Sequence, residues 1–142
     1  MSSDNSENKL IVRRYIEKII NTGDVSRIGD FISEDYAEEY NGERFAIGID
    51  GAISHVLGVR KTYPDLHLAI NHQICEGDWV VTSYMMTGTH KGSWMEIKPT
   101  NQKVVIYGVN LDKISNNKIV EHGGAANLLE PLLAIKAIEL KK

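Results

Sequence analysis

Apolar residues recur at three- and four-residue spacing through the first part of the chain and at every second position through the rest. Val12, Tyr15, Ile16, Ile19 and Ile20 fall on one side of a helix predicted over residues 8–21, with Arg13, Arg14, Glu17 and Lys18 on the other. Asn21-Thr22-Gly23 stops it, and residues 1–7 are a polar stretch expected to be disordered. A short second helix is predicted over Val25–Ile32, with Val25, Ile28, Phe31 and Ile32 inward. Residues 34–40 then read as a brief extended piece carrying Tyr36 and Tyr40. Asp50-Gly51 opens a third helix that turns Ile53, Val56, Leu57 and Tyr63 to one side, and Pro64 ends it.

Beyond Pro64 the period becomes two. Leu66, Leu68, Ile70, His72 and Ile74 alternate with more polar neighbours, and Glu76-Gly77-Asp78 turns that strand into a second one, Trp79 to Gly88. A loop and the turn at 98–102 lead to a strand from about Lys103 to Ile114. The turn Ser115-Asn116-Asn117 leads to a last strand from Lys118, and Leu128 to Leu140 reads as a terminal helix. A strand of about 12 residues spans roughly 40 Å, whereas a chain of this length has a radius of gyration of roughly 14 Å. Such a strand fits only in a strongly twisted and curved sheet. Helices first and a curved, mainly antiparallel sheet afterwards specify an α+β layout, with the helices covering the concave face and a cavity between them.

Composition changes this picture little. The chain has 142 residues, 42% of them hydrophobic and 25% charged, which is a single domain large enough to bury a core. The net charge of −3 comes with scattered Lys and Arg and no basic stripe, so nucleic acid is not an expected partner. No apolar run approaches the roughly 20 residues that span a bilayer, and no signal-peptide pattern opens the chain, so no membrane is expected and the location reads as cytoplasmic. Cys75 is the only cysteine and reads as a small core residue. The five histidines have no metal-ligand spacing, and Gly123-Gly124 lacks the rest of a dinucleotide fingerprint.

Candidate chemistry gathers in Lys118-Ile-Val-Glu-His-Gly-Gly-Ala-Ala-Asn127. Glu121, His122 and Asn127 stand there among small side chains that leave room beside them, as a small-molecule site requires. With Val12-Arg-Arg-Tyr15, Asn21-Thr-Gly-Asp24, Asp35-Tyr36 and Tyr63-Pro-Asp-Leu66, this run sets a fairly specific order and spacing. Glu76-Gly-Asp78, Val80-Val81, Gly88-Thr-His-Lys-Gly92, Pro99-Thr100 and Lys118-Ile-Val-Glu-His122 continue it. From about Asn8 to Leu133 the chain resembles the SnoaL-like polyketide cyclases of the NTF2-like, cystatin-fold superfamily.

That resemblance implies a cone-shaped fold, a homodimer formed through the outer sheet face, and an enclosed pocket for an apolar or polycyclic ligand. It also implies ring closure by an intramolecular aldol reaction without a cofactor. The family's pattern continues Glu-His-Trp and reaches an acid/base Asp four residues beyond the Trp, but those positions here are Gly123 and Asn127. An amide does not exchange a proton near neutral pH. The family also tends to place a pocket residue where this chain has Glu39. Glu39 and His122 are therefore the candidate catalytic residues, as base or acid near pH 7. The competing readings are a solvated acidic edge at Glu38 and Glu39 and a structural His122. Asn127 is a candidate ligand-binding residue or a cap for the helix beginning near Leu128. Tyr15, Tyr36, Trp94 and Tyr107 are candidates to line the pocket, or simply good core. Functionally, this leaves a cyclase- or isomerase-type enzyme, or a binding or accessory member that has lost the chemistry. A third alternative is a purely dimeric interaction module built on the outer faces of Trp79–Gly88 and Lys103–Ile114.

Overall fold

A computed structural model describes residues 2–142, with side chains from Asn5 onward. The first helix, α1 (Ser2–Tyr15), runs into a wider π turn over Ile16–Ile20 that Asn21 closes by donating its N–H to the Ile16 carbonyl at 2.9 Å. This helix takes in residues 2–7, the polar stretch at the start of the sequence; Met1 lies outside the described residues. The Asn21 side chain pins this end of the helix to the sheet. Its amide donates to the Leu68 carbonyl at 3.0 Å, and its oxygen accepts from the Leu68 N–H at 2.7 Å.

The helix predicted over Val25–Ile32 does not form. A single 3₁₀ turn, Ile28–Asp30, stands there, and Ile32 opens strand β1 (Ile32–Tyr40). Eight residues with Gly29 in the middle make a poor isolated helix. Asp24 folds the segment instead, accepting from the Ser26 N–H at 3.0 Å and the Ser26 hydroxyl at 2.6 Å. Strand β2 (Glu43–Ala46) follows through a two-residue turn, Asn41-Gly42, both at positive φ. Helix α2 (Gly48–Thr62), then β3 (His67–Glu76), β4 (Trp79–Thr89), β5 (Lys103–Ser115) and β6 (Lys118–Ala126) complete the layout. The terminal helix, α3, is confined to Leu129–Ala134 rather than reaching Leu140, because Lys136 adopts a left-handed conformation (φ 61°) that ends it.

The six strands form one sheet in the order β2-β1-β6-β5-β4-β3, antiparallel except for the β1–β6 pair. Register shifts on β1 between Ile32 and Ala37, on β3 between Ile70 and His72, and on β6 at Val120, the extra residue opposite Lys113 and Ile114, supply the bends that such long strands need. Along β5, Val104, Ile106, Asp112 and Ile114 are buried while Val105, Tyr107, Val109 and Leu111 are exposed. The buried set belongs to the inner face, which packs against α1, the π turn and α2. Val12, Ile16, Ile19, Ile32, Val80 and Ile119 form the centre of that core. Among the described residues, no helix is long and apolar enough to cross a membrane.

Candidate functional site

Three polar side chains interrupt the apolar inner face in one row. Glu38 on β1 is the register partner of His122 on β6, and His122 is the partner of Asp112 on β5. Directly opposed residues share a face, so the three stand side by side. The His122 Nδ1–H donates to Asp112 Oδ1 at 2.7 Å; Asp112 is 5% exposed and His122 26%. With Nδ1 taken, Nε2 is the nitrogen left for the cavity beside it. Glu38 Oε2 accepts from the Tyr36 hydroxyl at 2.9 Å and from His55 Nδ1, on α2, at 2.7 Å.

These contacts set the charge of each group. Burial alone would lower the pKa of His122, but the Asp112 carboxylate, by charge and hydrogen bond, and the nearby Glu38 carboxylate outweigh it and hold it above the usual 6.5. Burial would likewise raise Glu38. Hydrogen bonds from His55 and Tyr36, with the charge of His55 and His122, win and hold its carboxyl below the usual range. The row therefore sets a carboxylate whose ionised form is favoured next to an imidazole whose protonated form is favoured. Tyr15 and Tyr36 are pushed well above the usual phenol range, chiefly by burial, so both keep their hydroxyl protons.

A cavity of about 180 Å³ lies between this face and α2. From α2 come Ala52, His55, Val56, Val59 and Arg60, whose three- and four-residue spacing puts them on one side of the helix. The sheet supplies Tyr36, Glu38, Leu68, Tyr84, Met86 and Asn110, and Tyr15 closes one end. Arg60 is not a free cation, since its guanidinium donates to the carbonyls of Ile20, Leu66 and Pro64 at 2.9–3.0 Å. An outer compartment of about 290 Å³ shares Glu38, His55, Tyr84, Asn110 and His122 with the inner one and forms its mouth. Among the described residues, no hydrogen bond engages the Tyr84 hydroxyl or the Asn110 side chain. Nor does any group of three or more His, Cys, Asp or Glu gather as metal ligands among them.

Of the residues singled out in the sequence, His122, Tyr15 and Tyr36 line the cavity. Glu39 does not. It is exposed and edges only the mouth, beside Glu121, whose carboxylate raises its pKa, and Arg44, which lies 3.5 Å from Glu121. The reason is strand alternation: with Tyr36 facing inward, Glu38 must follow it and Glu39 must face away. Tyr107 is 57% exposed on the outer face for the same reason. Trp94 packs edge-on against Tyr63 and His90, 5.7 Å from each, beside a second core cluster formed by Tyr63, Leu66, Met86, Val104, Ile106 and Ile135. Asn127 is exposed at the entry to α3, where its side-chain oxygen accepts from the Glu130 N–H at 3.4 Å. His90 is fully buried, with its ring against Thr100.

The small residues after His122 also have a structural cause. A Cβ on Gly124, at φ 145°, would run into the Val109 carbonyl, so that position is small because β6 approaches β5 closely. Asp112, His55, Tyr84 and Asn110 were missed in the sequence. A visible signal existed for Asp112 and Asn110, as both occupy the inner parity of β5 set by Val104, Ile106 and Ile114.

The model of the SnoaL-like polyketide cyclases matches residues 9–135. The chain belongs to this family. Among solved structures it is similar to AclR from Streptomyces galilaeus, assigned as a hydroxylase, at 24% identity and a TM-score of 0.82 over 96% of this chain and 89% of that one. A protein from Jannaschia sp. CCS1 assigned as a SnoaL-like polyketide cyclase gives 21% identity and a TM-score of 0.83 over 95% of each chain. A SnoaL-like polyketide cyclase from Agrobacterium tumefaciens C58 gives 17% and 0.76 over 92% of this chain and 95% of that one. At these identities the likeness establishes the NTF2-like fold. A comparison with curated proteins finds no match.

Proposed function

We infer that this SnoaL-like protein is a cofactor-free acid/base enzyme of the cyclase or isomerase type, acting on a small apolar carbonyl compound in the cavity. The observation that carries this reading is the row Glu38–His122–Asp112, in which a base and an acid lie side by side with their outer ends fixed by partners. Glu38 takes the proton from the carbon beside the substrate carbonyl. The C–H electron pair becomes the enol double bond, and the carbonyl π pair moves to oxygen, which receives the proton of His122 Nε2. Glu38 ends protonated and His122 neutral. When the Glu38 proton is returned to another carbon and His122 takes back the enol proton, the substrate is isomerised. When the enol carbon instead attacks a second carbonyl, the ring C–C bond forms as the enol proton returns to His122 and the new alkoxide takes the proton held by Glu38. A ligand that fills the apolar cavity displaces water from Glu38 and makes its carboxylate a stronger base.

The alternative is a binding or accessory protein, supported by Asn127 at the family's acid/base position. Since Asn127 is exposed at the entry to α3, its amide bears little on the cavity, and the enzyme reading is preferred. The exposed stripe Val105, Tyr107, Val109 and Leu111 along β5 supports a homodimer through the outer sheet face, and a cytoplasmic location fits a chain with one cysteine.

Deuterium exchange at the methyl group of acetophenone, followed by NMR, tests the chemistry. The wild type is expected to exceed the buffer rate, with Glu38→Gln and His122→Gln slower by about 10²-fold or more and Glu39→Gln unchanged. Binding without exchange in the wild type would transfer support to the accessory reading.

A further inference from the structure

We propose that the inner compartment selects a ketone whose buried part is a single ring or a short branched chain, and that it rejects fused polycycles. The proposal rests on the acid/base reading above for the position of the reacting carbonyl, but its support is steric. At about 180 Å³ the compartment is close to the roughly 150 Å³ apolar cavity that holds one benzene molecule. Drug-sized ligands occupy pockets of about 300–1,000 Å³. Its walls do not yield easily, because Val56, Leu66, Leu68 and Met86 belong to the two core clusters and are nine-tenths or more buried. Interiors packed this way resist expansion.

The polar groups are placed for the same ligand. Tyr84 and Asn110 line both compartments and have free hydrogen-bonding groups at their boundary, where Glu38 and His122 also stand. Burial raises the pKa of Tyr84, so it remains a hydroxyl donor. A ring held in the inner compartment, which Ala52 and Met86 help line, would carry its carbonyl toward the boundary that Tyr84 and His122 line. A second or third fused ring has no room inward and must displace the carbonyl outward, away from Glu38.

A matched series tests this with the full-length protein: acetophenone, 2-acetylnaphthalene and 2-acetylanthracene, identical at the acetyl group and differing only in ring number. Binding is read from the NMR shifts of His122 and Tyr84, and turnover from methyl deuterium exchange. Acetophenone is expected to bind best, with each added ring costing about tenfold or more, as apolar pockets discriminate against excess bulk. Ala52→Phe should abolish acetophenone binding, and Val56→Ala, a milder change, should move the preference toward the naphthyl ketone. Equal or tighter binding of the anthracenyl ketone, binding of no member, or a preference unmoved by Val56→Ala overturns the proposal. Size-selective binding without exchange would leave it standing while removing the acid/base reading. Rapid exchange on the anthracenyl ketone would do the reverse.

Discussion

Glu38 and His122 each have one end tied down and the other free, and that division gives a pH signature. Because the folded pKa of His122 is raised, its pair with Asp112 stabilises the fold fully below the ordinary value of 6.5 and loses that contribution as pH rises through the raised value. Asp112→Asn should remove this pH-dependent part and cost about 2 kcal/mol under mildly acidic conditions, measured by urea unfolding at acid and alkaline pH. The same substitution should shift the alkaline limb of the exchange rate to lower pH, since the acid then loses its proton earlier. On the other side of the row, Glu38 has a depressed pKa, so its stabilisation is present above the usual carboxylate range and fades as pH falls through the lowered value. Strand parity separates the two glutamates: a strand that turns Tyr36 inward turns Glu38 inward with it and Glu39 outward. The alternation of β1 and the family's pattern, which points to Glu39, therefore favour different residues.

At the scale of elements, the long strands and the two major helices were legible because their apolar periods run over ten or more residues. Short pieces were not. Asn41-Gly42 is a strong signal for a two-residue hairpin turn, yet the flanking Glu43–Ala46 is exposed throughout and has no apolar alternation to mark it as a strand. Val25–Ile32 has helical spacing, but Ile32 is fully buried in β1, and its hydrogen-bonded neighbour in the sheet is worth more than one weak helical turn. The close approach of β6 to β5 at Gly124 makes a specific demand. Gly124→Ala should destabilise the protein by about 1–3 kcal/mol through backbone strain, read as a fall in the thermal midpoint.

For the whole molecule, one overlong strand already requires the curved sheet, and a bent sheet under helices leaves room at the middle of its inner face. What no pattern resolved was the cavity's size, which depends on how Val56, Leu68 and Met86 interdigitate rather than on which residues are apolar. The outer face carries its own expectation. With Tyr107 and Leu111 both changed to Asp, analytical ultracentrifugation should show a monomer where the wild type sediments as a dimer. A wild type that is monomeric at the same concentration would remove the dimer, leaving the cavity unaffected.

The pairing of Glu38 with His122 is tested most directly by following the His122 ring nitrogens by NMR against pH in the wild type, Glu38→Gln, Glu39→Gln and Asp112→Asn. The expected result is a wild-type midpoint above 6.5 that falls in Glu38→Gln, falls further in Asp112→Asn and stays in place in Glu39→Gln. A midpoint at or below 6.5, or a shift in Glu39→Gln as large as that in Glu38→Gln, would contradict it.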